Sequence, residues 1–287
     1  MLISIIVPHY EDLERLDTLL NMLQAQTVSP DQYEIVVADN MSPSGEAAVA
    51  ARIEGRAKLV TCHERGAGPT RNAGVAASTL PLLAFIDSDC QPEPGWLAAG
   101  LAALEHADLV GGQMKVLVDQ PGQRTGAEAV EQVFAFDNRT YVTTKGFSVT
   151  ANLFTRRDVF AKVGGFRTQV SEDVEWCKRA TAAGYRLSYE ERAVVAHPAR
   201  RTWSELKHKW GRLQRESLAL SSEQPGGRVR WLLRNWAALA STPLHLRKIW
   251  RSDELDNTAE RRAASTTLIR LRMWRFLDAH KLVYGGR

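Results

Sequence analysis

A chain of 287 residues, 44% of them hydrophobic, buries a full core and fits one large α/β domain or such a domain with a helical appendage. Its three cysteines, Cys62, Cys90 and Cys177, are odd in number and far apart, which argues against a disulfide framework and a paired-cysteine zinc site and makes a reducing compartment the default. The formal charge of +4 hides an asymmetry: residues 200–287 carry 19 Lys and Arg against 8 Asp and Glu, and the residues before them 18 against 25.

Residues 2–7 are apolar and run into Pro8 as a first buried strand does. The segment is too short for the apolar region of a signal peptide and has no basic residues before it; no other run approaches membrane-spanning length. Glu11 to Ala25 carries Leu13, Leu16, Leu19, Leu20 and Leu23 on one helical face. Glu34 to Ala38 reads as a second strand, Asp39 to Ser44 as a turn and Gly45 to Glu54 as a short helix. Ala57 to Cys62 is a third strand, a glycine-containing loop and an Ala-rich helix follow, and a fourth strand ends at Asp87. Repeated βα units predict an α/β fold with a mostly parallel, doubly wound sheet flanked by helices.

Trp96 to His106 reads as helix, and Ala107 to Val118 as one or two strands broken at Gly111-Gly112. Residues 119–147 are mixed and polar, with Gly122, Gly126 and Gly146, as in a mobile or substrate-shaped insertion. Ser148 to Phe154 is strand-like, Arg157 to Val163 is a helix closed by Gly164-Gly165, and Ser171 to Ala183 is a helix closed by Gly184, with Ser171 as its N-cap. Residues 186–196 supply a further strand or pair before His197-Pro198. From Trp203 onward the pattern is helical, interrupted at Pro225-Gly226-Gly227 and Pro243. The Pro-Gly-Gly sets the expected organisation: an α/β domain over residues 1–222 and a basic, Trp/Arg-rich helical extension over 223–287.

The run from Leu80 to Asp89 ends an apolar strand on two carboxylates one residue apart. Ligands of open α/β sheets bind beyond the carboxyl ends of the strands, which puts Asp87 and Asp89 at a crevice. If strand geometry persists through them, both side chains point the same way and suit a hard divalent cation held together with substrate phosphates. Asp-Ser-Asp followed by Pro92, Pro94 and Gly95 equally suits a plain helix-capping turn. A second acidic group, Glu172-Asp173, opens a helix, where the macrodipole alone favours negative charge. Together the two groups supply what transfer from a phosphate ester to a hydroxyl needs, an electrophile for the leaving group and a base for the nucleophile. Gly66-Ala67-Gly68 is only a partial dinucleotide fingerprint, because Arg71 stands where the third glycine belongs. Arg71 either faces a ligand, caps a carboxylate or makes a structural salt bridge.

In these residues the chain resembles a family 2 glycosyltransferase of the GT-A fold, an inverting, metal-dependent sugar-transfer family. The likeness covers roughly residues 2–220 and lies in Ser4 to Glu11, Glu34 to Asn40, Arg71-Asn72-Ala73-Gly74, Phe85 to Asp89, and Glu172-Asp173 followed by Arg179 and Gly184. The resemblance implies a nucleotide-sugar site in which Pro8, Tyr10 and Glu11 line the pocket, Asp39 holds the base or ribose, Arg71 lies near the diphosphate, and Ser88 sits within the Asp-x-Asp motif. It implies that Asp89 meets Mn²⁺ or Mg²⁺, that Asp87 contacts the ribose or a metal-bound water, that Asp173 is the catalytic base and that Glu172 orients the acceptor. His197 is a further candidate metal or phosphate ligand, with a structural role as the alternative; Asn152 and Trp176 are candidate acceptor contacts. The resemblance further implies transfer of one sugar to a saccharide or lipid-linked acceptor in cell-surface glycan synthesis, on the cytoplasmic side. The processive members' Gln-x-x-Arg-Trp element is not matched by Trp210 to Arg215, so addition of a single sugar is expected.

Two rivals stand beside that reading: a non-catalytic GT-A-like module that binds a nucleotide or glycan, and a sugar nucleotidyltransferase. The second needs a Gly-rich loop at the first strand, where Pro8-His9-Tyr10-Glu11 stands instead. In the basic tail, Arg228, Arg230, Trp231, Arg234, Trp236, Arg247, Lys248, Trp250 and Arg251 interleave cationic and aromatic side chains. Helices packed through their tryptophans come first, contact with an anionic membrane surface second, and a nucleic-acid partner is not expected. Base, sugar, acceptor and oligomeric state are not encoded in any of these patterns.

Overall fold

The structure, a computed structural model, describes residues 2–285. It opens with β1 (Ile3–His9), α1 (Leu13–Gln24), β2 (Tyr33–Asp39), α2 (Glu46–Ile53), β3 (Lys58–Thr61), α3 (Ala67–Ala77) and β4 (Leu82–Phe85). These are the predicted βα units. β1 and β4 read as continuous apolar runs because both sheet faces are covered: Ile3, Ile5 and Val7 pack with Leu16, Leu19, Leu20 and Leu23 of α1, and Ile6 packs with Val75 of α3 and Phe85. The α1 stripe is the i, i+3, i+4, i+7 pattern, and Asp12 caps the helix by accepting the Arg15 N–H at 3.1 Å.

The chain continues through β5 (Gln91–Pro92), α4 (Trp96–Ala103), β6 (Leu109–Leu117), α5 (Gly126–Phe134), α6 (Asn138–Thr140, running into a π-turn over Tyr141–Lys145), β7 (Leu153–Arg156), α7 (Arg157–Val163), α8 (Glu172–Ala182) and β8 (Leu187–Pro198). One eight-stranded sheet results, in the order β3-β2-β1-β4-β7-β6-β8-β5. The strands β3, β2, β1 and β4 are parallel neighbours, whereas β7 is antiparallel to both β4 and β6. The fold is therefore mixed α/β, with a parallel half built from βα units.

Three local expectations change. β6 runs unbroken through Gly111-Gly112, because these glycines are sites of close approach: a side chain at Gly111 would strike Ser148 and Val142, and one at Gly112 the Ala193 carbonyl and Asn152. Residues 119–147, read as an irregular insertion, contain α5, whose start carries a complete capping box: Thr125 Oγ1 accepts the Glu128 N–H and Glu128 accepts the Thr125 N–H. Ser148 to Phe154 holds a 3-10 turn at Thr150–Asn152 before β7 starts.

By compactness the chain divides into two units. One takes in the chain through Lys115 with Phe136–Thr168 and Glu172–His197; the other comprises Val116–Ala135, Gln169–Ser171 and the chain from Pro198 on. The second is helical: α5 with α9 (Trp203–Ser222), α10 (Gly227–Ala240), α11 (Thr242–Arg251) and α12 (Thr258–Tyr284). Ala129, Val130 and Val133 of α5 pack on Ala264 and Leu268 of α12 and on Ile249 of α11. No helix among the described residues is long and apolar enough to cross a membrane.

Candidate active site

The carboxyl ends of β1 and β2 set the first wall. Their parallel register puts His9 beside Asp39, and His9 Nδ1 lies 2.8 Å from Asp39 Oδ1. The Ser42 N–H donates to Asp39 Oδ2 at 2.9 Å and its hydroxyl to Oδ1 at 2.5 Å. Burial pushes the Asp39 carboxyl up, but Ser42 and His9 outweigh it and hold the carboxyl below its ordinary value. Asp39 is buried within this network, while Tyr10 and Glu11 are exposed and Pro8 is half-buried. Glu11 adopts φ 72° and donates its N–H to Ser42 Oγ at 2.8 Å; Met41, after β2, adopts φ 57°. Left-handed backbone at non-glycine residues on two adjacent strand ends is the kind of local strain that gathers at ligand sites. His9 is a site-wall residue the sequence reading missed, and the β1–β2 register is the signal that finds it.

The turn before α3 is fixed by Asn40, whose amide donates to the carbonyls of Cys62 at 2.9 Å and Glu64 at 2.7 Å and accepts the Gly66 N–H at 3.0 Å. Arg71 then lies on the first turns of α3, buried, and joins both acidic motifs. Its Nη2 donates to Asp87 Oδ1 at 2.5 Å and its Nη1 to Glu172 Oε1 at 2.7 Å. Burial would lower the guanidinium pKa, but Asp87 and then Glu172 outweigh that and raise it, so the cation persists. Asp87 and Glu172 are 85 residues apart in the chain and one guanidinium apart in space.

Strand geometry does not persist into Asp87-Ser88-Asp89. β4 ends at Phe85, and the Cys90 N–H donates to the Asp87 carbonyl at 3.0 Å, closing a turn over residues 87–90. The two carboxylates accordingly meet different partners: Asp87 meets Arg71, and Asp89 Oδ2 lies 3.6 Å from His197 Nε2. The second meeting follows from the antiparallel pairing of Gln91 with Ala196, which brings the start of β5 alongside the end of β8. His197 is buried, with Phe136 at 4.8 Å between ring centroids. Asp89, Cys90 and His197 present ligand atoms all within 4.8 Å of one another. A carboxylate oxygen and an imidazole nitrogen this close are a donor set that would fit one divalent cation. Burial, and then Asp87 and Asp89, push the Cys90 thiol well above its ordinary value. It stays protonated, as does Cys177, pushed up to about 12 by burial.

Glu172 and Asp173 open α8, both half-buried, and Asp173 Oδ1 accepts the Val174 N–H at 2.7 Å. Glu175, one helical turn on, is held by Arg179 through two contacts of 2.9 Å, and Arg179 also donates to the Val163 and Gly165 carbonyls. The Arg179 of the motif thus anchors α8 to the loop after α7. Asn152 and Trp176 are not brought to this cleft. Asn152 is fully buried, accepting from Trp96 Nε1 at 2.9 Å and donating to the carbonyls of Gln113 and Ala193 at 2.9 and 2.8 Å. Trp176 is also fully buried, donates to the Gly164 carbonyl at 2.8 Å and packs against Phe160 and Phe166. A polar residue in a turn and an aromatic on a helix satisfied core demands in both places.

Residues 4–164 match the family described as Glycosyl transferase family 2. The chain belongs to glycosyltransferase family 2. Among curated family relatives, glycosyltransferase AglE of Haloferax volcanii is 32% identical over 206 residues, 69% of this chain and 67% of that protein. The pre-mycofactocin glycosyltransferase of Mycobacterium tuberculosis is 32% identical over 160 residues, 52% of this chain but only 34% of that protein's length. Among solved structures, mannosyltransferase PcManGT from Pyrobaculum calidifontis, in complex with GDP-Man and Mn²⁺, superposes with a TM-score of 0.63 at 16% identity, covering 99% of this chain and 88% of that one. S. aureus TarS 1–349 in complex with UDP-GlcNAc gives 0.54 at 18% identity, covering 98% and 73%. At these identities the likeness speaks for the fold, which is of the GT-A type.

Proposed function

We propose that this family 2 glycosyltransferase moves one sugar from a nucleoside-diphosphate sugar to a hydroxyl of a saccharide or lipid-linked acceptor, with inversion and with a divalent cation. The observation that carries the proposal is the Arg71 bridge between Asp87, at the strand-end motif, and Glu172, beside Asp173. It ties the place where a donor diphosphate would lie to the place where an acceptor hydroxyl would be deprotonated. GDP-Man and UDP-GlcNAc in the structural neighbours support a UDP- or GDP-sugar as donor.

In this reading Tyr10, Glu11 and Ser88 face the nucleotide, and Asp39, through its network with His9 and Ser42, shapes the wall behind it. Asp89 and His197 would hold Mn²⁺ or Mg²⁺, which would supply positive charge for the departing diphosphate. Asp173 takes the acceptor proton as the acceptor oxygen bonds to the anomeric carbon. The bond from that carbon to the diphosphate oxygen breaks, and its electron pair leaves with the diphosphate. Attack opposite the leaving group inverts the centre. Glu172, fixed by Arg71, orients the acceptor beside Asp173. The product is proposed to enter a cell-surface glycan assembled at the cytoplasmic face.

Asp173→Asn tests the proposal, because it removes the base and keeps the shape. Turnover is expected to fall by roughly 10²–10⁴-fold while donor binding is retained. Unchanged turnover removes Asp173 as the base. Donor binding without turnover by the wild-type chain on any hydroxyl acceptor favours the non-catalytic module.

A further inference from the structure

The tail tryptophans divide into two kinds. Trp231 is buried and donates to Ser217 Oγ at 3.0 Å, as a packing residue does. Trp236, five residues on, is 52% exposed. It belongs to a stripe on α10 with Val229 and Leu233, at i, i+4 and i+7, opposite the buried Trp231, Leu232 and Asn235. On α12, Ile269, Met273 and Leu277 form a second exposed stripe, at i, i+4 and i+8, opposite the buried Ala264, Leu268 and Leu271. The Trp236 ring joins the two, 4.7 Å from the Phe276 ring and 5.7 Å from that of His280. Leu233 is 61% exposed and Leu277 60% exposed, so the joint face is a contiguous apolar surface of the kind that marks an interaction site.

Charge names the occupant. The exposed side chains sharing these helices with the two stripes include Arg230, Arg234, Arg262 and Lys281. Residues 227–285 carry 12 Lys and Arg against 5 Asp and Glu. A second copy seated on this face would bring cations against cations, whereas an anionic bilayer offers both an apolar interior and neutralising headgroups. No described helix is built to span. We propose that the α10–α12 face is an interfacial anchor that lies on an anionic lipid surface, with Leu233, Trp236 and Leu277 entering the headgroup–acyl boundary. The anchor is independent of the proposed catalytic roles.

Sedimentation of the full chain with phosphatidylcholine vesicles, with and without 30% phosphatidylglycerol, tests it. Wild type is expected to pellet with the anionic vesicles, at least about tenfold more strongly than with neutral ones, and to be released by salt. Leu233→Ser/Leu277→Ser is expected to lower partitioning by roughly tenfold or more, and Arg230→Ala/Arg234→Ala by roughly thirtyfold. All four positions are exposed, so circular dichroism and nucleotide binding are expected to stay unchanged. Wild type absent from both pellets overturns the proposal. So does equal binding by wild type and the Leu variant, or a wild-type dimer on light scattering that the Leu variant turns to monomer.

Discussion

Arg71 and Arg124 are two buried arginines that each grip two carboxylates, and each leaves its Nε without a hydrogen-bond partner. The difference lies in the acids. The Arg124 side chain is 8% exposed and holds Glu260, 2% exposed, and Asp256, 49% exposed. The Glu260 carboxylate also accepts the backbone N–H groups of Arg124 and Asp256, each at 2.9 Å, besides the guanidinium at 2.9 and 3.1 Å, and the Glu260 N–H donates to the α12 cap Asn257 Oδ1 at 3.0 Å. That cluster is a staple that closes the start of α12 against the loop before α5. The Arg71 side chain is 3% exposed, yet Asp87 keeps 30% and Glu172 13% of their surface. Each cluster thus has an acid that reaches the surface, but Asp87 lies in the turn after β4 and Glu172 at the head of α8 beside Asp173, at the end of the parallel strands where ligands of α/β sheets bind. The same chemistry serves architecture in one unit and, in the proposed function, meets the substrate in the other.

If the comparison holds, the two arginines separate function from stability. Arg71→Met is expected to cut turnover by roughly 10²–10³-fold, through loss of the link between the two acidic motifs, while its partly exposed partners are resolvated. Steady-state kinetics with a urea melt in parallel checks this; loss of fold instead of turnover would make Arg71 a second staple. Arg124→Met is expected to cost about 3 kcal/mol of stability, because Glu260 is left as a buried charge, with donor affinity unchanged within about twofold. Urea denaturation and nucleotide titration measure the two effects.

Acid sharpens the contrast further. For Glu260, burial pushes the carboxyl up, but the backbone N–H groups and Arg124 outweigh it and hold it below its ordinary value; for Glu131, burial is likewise outweighed by Lys209 and Arg200. The unfolded chain therefore binds more protons than the folded one at acid pH. The contribution is fully present above the ordinary carboxylate range, about pH 4–5, and is lost as pH falls through the lower folded values. The urea midpoint is expected to fall below about pH 5 and to fall less steeply in Glu260→Gln. Smallest of all, Thr125→Ala is expected to cost about 1 kcal/mol by removing the α5 cap, with no change in turnover.

The parallel half was legible because continuous apolar strands and a leucine-striped helix are local signals. α5 was not, although Thr125 and Glu128 spelled its start, because the glycines around it suggested irregular chain. The acid pair was read as ending the fourth strand, but β4 stops at Phe85, and the turn closed by Cys90 sends Asp87 and Asp89 to partners far away in sequence. Asn152 and Trp176 show the limit in the other direction: a residue's type does not reveal that a distant carbonyl or ring already satisfies it. Exposure likewise divided tail tryptophans that looked alike in sequence.

The most direct test of the central claim is calorimetric titration of the chain with UDP and GDP, each with and without Mn²⁺, repeated on Asp89→Ala. One nucleotide is expected to bind at least about tenfold more tightly with Mn²⁺, and Asp89→Ala to abolish that difference. Binding that is equal with and without Mn²⁺, or an Asp89→Ala chain that keeps the full metal effect, would contradict the assignment of the turn after β4 as the cation and diphosphate site.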